Sequence, residues 1–314
     1  MTSGDEFHVS VVIPTYKRPD GLFRAIESVF RQEKLSELKA ELVVVDNDPA
    51  GSAFPVTEQL TETPLPVRYV HAREPGVANA RNAAVAAVRS PLIAFLDDDQ
   101  SAPGDWLTML VDAHTRYRAA VTFGPVTTAL PDTVSEHAHY LNDFFSRKGP
   151  EASGVIDHYY GCGNSLIDLS QMPDFTPLFD SQTNETGGED DFLFSQLKRL
   201  GKTFAWAKDA PVYEHVPESR ATLRYTLRRA FAYGQGPSTL CLKKSPPDIP
   251  GLIYWTIIGS GQALIYGGVS LLARLAGRSD RAFWYDRAVR GLGKVLWFGP
   301  FEFRFYGANA SHAA

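Results

Sequence analysis

The segment that most restricts the fold is Leu92-Ile93-Ala94-Phe95-Leu96, followed at once by Asp97-Asp98-Asp99. An uninterrupted apolar run of this length reads as a strand buried on both faces, as in parallel sheets. Three successive carboxylates repel one another and are costly unless something positive balances them. A chain with this junction needs a buried sheet whose strand ends open onto a polar, charge-compensated edge.

Other strands fit such a sheet. Residues 8–13 form a β-branched run that stops at Pro14, and residues 42–45 (Leu-Val-Val-Val) stop at Asp46-Asn47-Asp48-Pro49. Shorter strands are expected at 67–70, 120–124 and 162–169. Between them, residues 20–32 place Leu22, Phe23, Ile26, Val29 and Phe30 at helical spacing. Residues 77–89 are Ala-rich, and 103–117 begin with a proline that a first helical turn tolerates. Residues 189–200 are acidic at the start, basic at the end and followed by Gly201, all of which suit a helix. Alternating strands and helices predict an α/β fold with a mostly parallel sheet. Ligands on such sheets sit at the carboxyl ends of the strands, so clusters 14–18, 46–48 and 97–99 should meet at one edge.

Bulk properties narrow the class. The 314-residue chain is 44% hydrophobic and 21% charged, a globular composition, and its net charge of -5 argues against nucleic-acid binding. Cys162 and Cys241 allow at most one bridge, which fits a reducing compartment. The polar, acidic N-terminus lacks the basic and apolar regions of a signal peptide.

The C-terminal part differs. No charged residue lies between Asp248 and Arg274, and residues 252–273 are apolar, with Gly259, Gly261, Gly267 and Gly268 among them. A span needs ~20 residues, so the length suffices. Basic residues flank it on both sides, with more after it (Arg274, Arg278, Arg281, Arg287, Arg290) than before (Lys243, Lys244). One crossing with a cytoplasmic catalytic part would then oppose the positive-inside rule. A re-entrant or interfacial contact, helped by Trp284, Trp297, Phe298, Phe301 and Phe303, is the preferred reading. Buried helices in a soluble extension are the alternative.

Several clusters could carry chemistry. Asp97-Asp98-Asp99 offers hard oxygen ligands for Mg²⁺ or Mn²⁺, or else a solvated, capping turn. Gly187-Gly188-Glu189-Asp190-Asp191 puts carboxylates at a helix N-terminus, where one could take a proton from a hydroxyl or simply cap the helix. Pro14-Thr15-Tyr16-Lys17-Arg18 supplies a hydroxyl, an aromatic face and two cations. Asp46 could accept from a base N–H, contact ribose, or close an Asx turn.

These motifs together resemble family-2 glycosyltransferases of the GT-A (Rossmann-like) fold. The carriers are 9–18, Val-Val-Val-Asp-Asn at 43–47, Gly76 with Ala80-Arg81-Asn82, Phe-Leu-Asp-Asp-Asp at 95–99, Gly-Gly-Glu-Asp at 187–190 and Tyr-Glu-His at 213–215. The resemblance spans about 8–235. It implies a catalytic domain over 1–235, with a nucleotide-sugar half (1–125) and an acceptor half (126–235), and an apolar, amphipathic extension over 236–314. It further implies that Thr15, Tyr16 and Asp46 hold the base and that Arg81 lies near base and diphosphate. Asp98 would sit by the ribose, Asp99 would bind the metal, and Pro14, Arg18, Asn47 and Asp97 would complete the donor side. Asp190 would be the general base with Glu189 beside it near the acceptor. His215 would add a metal ligand or diphosphate contact, and Arg220 could reach the diphosphate. Lys17 departs from the commoner Asn and takes no role.

The implied reaction is inverting transfer of a sugar, with UDP-glucose or UDP-galactose as plausible donors, dependent on Mg²⁺ or Mn²⁺. The tail after 215–220 resembles succinoglycan-type exopolysaccharide glycosyltransferases. That suggests a polyprenyl-linked oligosaccharide acceptor and a place at the cytoplasmic face of the inner membrane. A nucleotidyltransferase, or a non-catalytic sugar-nucleotide-binding or scaffold protein of the same fold, remains the alternative. The missing Gly-rich loop at Pro14–Arg18 and the intact Asp99 and Asp190 speak against those two.

Overall fold

The computed structural model describes residues 8–278 and 280–301, so Phe303 of the aromatic cluster lies outside the described residues. The chain begins with Val9–Thr15 (β1), Pro19–Phe30 (α1), Ala40–Asp46 (β2), Phe54–Glu58 (α2), Val67–His71 (β3), Val77–Ala87 (α3) and Leu92–Phe95 (β4). Gln100–Ser101 (β5), Trp106–Tyr117 (α4), Val121–Phe123 (β6), Val126–Ala129 (β7), Ala138–Phe145 (α5), Gly154–Ile156 (β8) and Ser165–Asp168 (β9) follow. Then come Glu189–Arg199 (α6), Phe204–Trp206 (β10), Val212–His215 (β11), Leu223–Lys243 (α7), Ile249–Leu275 (α8) and Arg281–Val295 (α9).

An eight-stranded sheet has the order β3-β2-β1-β4-β9-β6-β10-β8. The β3-β2-β1-β4 half is all parallel, and β6–β10 is parallel too. Strand β9 runs antiparallel to both β4 and β6, and β8 antiparallel to β10. The sheet is therefore mixed, with its parallel part where the β-branched runs predicted it.

Alternate residues of β1 feed two cores. Val9, Val11 and Ile13 pack with Leu22, Ala25, Ile26 and Val29 of α1 and Trp106, Leu107 and Leu110 of α4. Val12 faces the other way, with Ala78, Ala80 and Ala84 of α3 and Leu193, Phe194 and Leu197 of α6. The small alanines of α3 let it lie close on the sheet. Helices on both faces cover a sheet whose strands are buried on both sides, as a parallel sheet requires.

The chain divides into two compact units, one of residues 8–128 and 146–215, the other of 129–145 and 216–301. The sequence places the boundary at 235, which would cut α7. That helix is continuous, and its second half packs on α9. Ser238 Oγ donates to Lys294 O at 2.8 Å, and Gln235 Nε2 donates to Leu296 O at 2.8 Å. Helix α5 belongs to the same unit because Tyr140 and Leu141 cluster with Ala282, Leu223 and Phe283. The expected acceptor half, 126–235, is thus split between the units.

In the second unit α8 and α9 cross at Gly259 and Gly291. A Cβ on either would lie 2.7 Å from the other's carbonyl oxygen, so larger residues would force the helices apart. In the first unit, Trp106 is fully buried and its Nε1 donates to Asn164 Oδ1 at 2.7 Å. Trp106→Ala should cost about 3–5 kcal/mol in urea-induced unfolding of the full chain, the range for truncating a large buried aromatic. A loss under ~1 kcal/mol would contradict this packing.

Candidate functional site

The register brings the predicted edge together. Thr15 pairs with Asp46 across β1 and β2, and Val12 pairs with Phe95 across β1 and β4. Asp97–Asp99 therefore leave the sheet beside Thr15. Thr15 Oγ1 donates to Asp98 Oδ2 at 2.8 Å. Arg18, at the start of α1, donates from Nη1 to Asp98 Oδ1 at 2.7 Å and to Asp99 Oδ2 at 2.9 Å. Asp98 is buried and held from two sides. Tyr16 is half-buried, with Lys17 Nζ 5.0 Å from its ring centroid, and Pro14 sits within β1.

The acids exceed what these cations balance. Burial, then the neighbouring Asp98, pushes Asp99 up to about 7, with Arg18 opposing. Burial also raises Asp97, with Arg81 the largest opposing charge. Glu214 on β11 joins the cluster, since β11 pairs with β5 directly after the acidic run. Burial, then Asp99 and Asp97, pushes it up to about 8.

Asp46 and Asn47 look inward at their own loops. Asp46 Oδ1 accepts Asp48 N–H at 3.0 Å, and Oδ2 accepts Ala53 N–H at 2.7 Å and Tyr69 O–H at 3.0 Å. Asn47 donates to Ala72 O and Glu74 O at 2.9 and 2.8 Å, and accepts from Gly76 N–H at 2.7 Å. Both shape the loops at the β2 and β3 ends. No direct ligand contact is needed to explain them.

A second group approaches from α6. Gly187 and Gly188 hold positive φ angles of 79° and 89°, and the helix then begins with Glu189 and Asp190. Glu189 is buried and ion-paired with Arg81, whose Nη1 is also 3.9 Å from Asp190 Oδ2. Arg81 thus sits with the acid pair. Asp190 Oδ2 accepts Cys162 N–H at 2.9 Å, while Oδ1 accepts Asp191 N–H at 2.9 Å. One residue on, a Cβ at Gly163 would collide with the Asp97 carboxylate. The 161–163 turn therefore separates the α6 acids from the acidic edge by the thickness of a backbone.

His215 reaches the edge through its main chain, its N–H donating to Asp99 O at 2.8 Å. Its Nε2 lies 2.8 Å from Ser101 Oγ, and burial, then Arg24, lowers its pKa. Among the described residues no group of three or more His, Cys, Asp or Glu side chains is arranged to hold a metal ion. Arg220 belongs to the second unit, its guanidinium 5.8 Å from the Tyr225 ring centroid.

Sequence reading misses Arg147, Glu214 and the turn 161–164. Arg147 Nη2 donates to Gly161 O at 2.9 Å and Nη1 to Asn164 O at 3.2 Å, and Asp97, Asp190 and Glu214 all act on its charge. The Tyr-Glu-His run contained a signal for Glu214. Nothing around Arg147 in the sequence marks it.

The layering and the acidic edge at the strand ends are those of a Rossmann-like α/β domain with a polar, ligand-facing edge. Comparison with known proteins narrows this. Residues 10–170 match the family model described as glycosyl transferase family 2. The succinoglycan biosynthesis protein ExoM of Rhizobium meliloti (strain 1021) is 31% identical over 242 residues, covering 77% of each chain. The glucosyl-dolichyl phosphate glucuronosyltransferase of Haloferax volcanii is 26% identical over 153 residues, 48% of this chain and 47% of that one. The crystal structure of S. aureus TarS 1-349 superimposes with a TM-score of 0.52 at 14% identity, over 92% of this chain and 90% of that one, a likeness of fold. The chain belongs to glycosyltransferase family 2.

The acid cluster predicts a pH effect on stability. Asp99 and Glu214 have ordinary values of 3.8 and 4.5 and folded values of about 7 and 8, so between those limits the folded state binds more protons than the unfolded one. Their stabilising contribution is complete at low pH and lost as pH rises through the folded values. In chelator, Tm should fall between about pH 5 and pH 8. The double variant Asp99→Asn, Glu214→Gln should flatten the profile. A flat profile in the parent chain would contradict the raised values.

Proposed function

We propose that the chain transfers a hexose from a UDP-sugar to an acceptor hydroxyl with inversion. The observation carrying this is the turn 161–163, which has Asp190 on one side and the Asp97–Asp99 edge on the other. A proton acceptor and a diphosphate-facing acidic edge one backbone apart suit a single displacement at an anomeric carbon. Asp190 takes the hydroxyl proton, the acceptor oxygen attacks, and the nucleoside diphosphate departs from the opposite face. Main-chain N–H groups on both Asp190 oxygens fix the carboxylate's direction.

A divalent cation fits the edge. Buried carboxylates with raised pKa values are a negative excess, and Mg²⁺ or Mn²⁺ commonly takes one or two protein carboxylates plus substrate phosphates. Asp99 would hold it, with His215 as a further ligand once its ring leaves Ser101. When bound, the cation would supply charge neutralisation on the leaving diphosphate. Thr15 and Arg18 keep Asp98 and Asp99 oriented toward the donor, and Tyr16 offers a face for the base.

The acceptor reading rests on relatives and on α8. ExoM acts in succinoglycan biosynthesis and the Haloferax relative on a glucosyl-dolichyl phosphate, by their names. A lipid-linked oligosaccharide in exopolysaccharide or cell-surface glycan synthesis fits both. Helix α8 is long and apolar enough to cross a membrane. Its exposed residues Ile253, Ile257, Leu264, Leu271 and Leu275 follow one face at spacings of four and seven, and Leu264 is 78% exposed. The opposite face carries Gly259, Ser270 and Ala273 and packs on α9, where Asp286, Arg287, Arg290 and Lys294 would be costly in hydrocarbon. Lying in the interface suits this pair better than spanning, on the cytoplasmic face of the plasma membrane. The free cysteines Cys162 and Cys241 agree with that compartment.

Calorimetric titration with UDP tests the donor site. Binding should require Mn²⁺ or Mg²⁺ and vanish in Asp99→Ala, while metal-independent binding would remove the metal from the mechanism. With a UDP-hexose turned over, Asp190→Asn should lower kcat by ~10²–10⁴-fold and leave UDP affinity unchanged. Retained turnover would dismiss Asp190 as the base.

Vesicle sedimentation tests the membrane reading. The chain should pellet with vesicles containing anionic lipid, and Ile257→Glu with Leu264→Glu should release it. Equal pelleting of parent and variant would rule out α8 as the contact.

A further inference from the structure

Arg147 is a partly buried arginine beside Asp190 and Asp97 to which the proposed reaction gives no role. Its main chain is fixed by two hydrogen bonds with Val126, N–H to O at 2.8 Å and the reverse at 3.1 Å. Its guanidinium is spread over three carbonyls: Gly161 O at 2.9 Å, Asn164 O at 3.2 Å and Gly124 O at 3.4 Å. One face lies 5.6 Å from the Tyr160 ring centroid. A forked cation held this way has little freedom.

The peptide between Gly161 and Cys162 has two ends, and both are taken. Its carbonyl accepts from Arg147 Nη2. Its N–H donates to Asp190 Oδ2 at 2.9 Å. A Cβ on Gly161 would sit 3.4 Å from that same Oδ2 and 3.5 Å from Nη2, so both groups close on one backbone atom. Asn164 anchors the far end of the turn by donating to Pro125 O and Ala210 O at 2.7 and 2.9 Å.

We propose that Arg147 is a positioning residue for Asp190, acting through the Gly161–Cys162 peptide. Pulling on the carbonyl sets the plane of the peptide, and the plane sets where its N–H points. The N–H then holds Asp190 Oδ2 and leaves the carboxylate in one orientation toward the acceptor. A hydrogen bond at a carbonyl also polarises the N–H of the same peptide, which strengthens its grip on the acid. Lysine would keep the charge and lose the fork, so it would not reproduce the geometry. The catalytic consequence rests on Asp190 being the base. The geometric link does not.

Two readouts on the full chain separate these. The first is hydrogen exchange at the Cys162 amide, with no ligand present. Arg147→Ala and Arg147→Lys should each accelerate it by ~10-fold or more while amides of β1 and β4 keep their protection. The second is turnover of UDP-glucose, or of whichever UDP-hexose proves active. In either variant kcat should fall ~10-fold or more, in Arg147→Lys (which keeps the positive charge beside Asp97) with UDP–Mn²⁺ affinity within ~2-fold, and adding the substitution to Asp190→Asn should cost nothing further. If Arg147→Ala does not fold, Arg147→Lys carries both readouts. Unchanged exchange at Cys162 would overturn the proposal, as would a loss of full size in the Asp190→Asn background. Turnover that survives Asp190→Asn alone would overturn the base assignment instead, and exchange would still decide the link.

Discussion

Charge compensation around Asp97, Asp98 and Asp99 governs the rest of the catalytic unit. Carboxylates crowded at the end of a buried strand, with Asp98 buried and Asp97 and Asp99 only partly exposed, are poorly screened by water and favour neighbouring cations. Three arginines do so from unrelated parts of the chain. Arg18 reaches from the start of α1, Arg81 from α3, and Arg147 from the bridge to Val126. Each also touches something else that matters. Arg18 spans Asp98 and Asp99, Arg81 pairs with Glu189, and Arg147 grips the 161–164 turn. The three cations, one before α1, one on α3 and one in the segment bridged to Val126, therefore converge on one sheet edge. Even so, Asp99 and Glu214 remain well above the usual carboxylate range.

The parts legible in the sequence are those whose cause is local. A β-branched run stopped by Pro14, five apolar residues stopped by acids, and a helix with acids first and bases last each carry their signal within a dozen residues. Those gave β1, β2, β4 and α6 nearly at their true bounds. Strands β10 and β11 carry no such signal. Phe204–Trp206 and Val212–His215 are too short for a period to show, and they form because neighbours in the sheet accept them. Arg147 is the extreme case. It sits in an irregular stretch, and its role exists only because Gly124, Gly161 and Asn164 turn their carbonyls toward it. The boundary expected at 235 falls inside a continuous helix for a related reason. Helix α7 has no break there, and Pro237 is accommodated within it.

Arg81 and Asn47 lie in the motifs of the resemblance, and their partners in the structure are other parts of the protein. Both lie in the expected motifs and both border the expected edge. Arg81 meets the acid pair of α6, and Asn47 uses its donors and acceptor to fix the path of residues 72–76. Each holds a neighbouring segment in place.

The second unit follows a different physical logic. Its helices meet through small residues, with Gly259 against Gly291 and Ser238 on a carbonyl of α9, instead of through a wide interlocked core. Contacts of this kind need little apolar area, so the large side chains of α8 stay outside. A contiguous row from Ile253 to Leu275 left in water would be an aggregation hazard. Arg287 stacks on Tyr266 and Trp284, and Arg290 on Tyr233, so charge is retained on the neighbouring helix. The two kinds of surface are thus segregated, with the apolar row of α8 facing out and the arginines of α9 held on aromatic rings on the packed side, Arg290 also paired with Asp286.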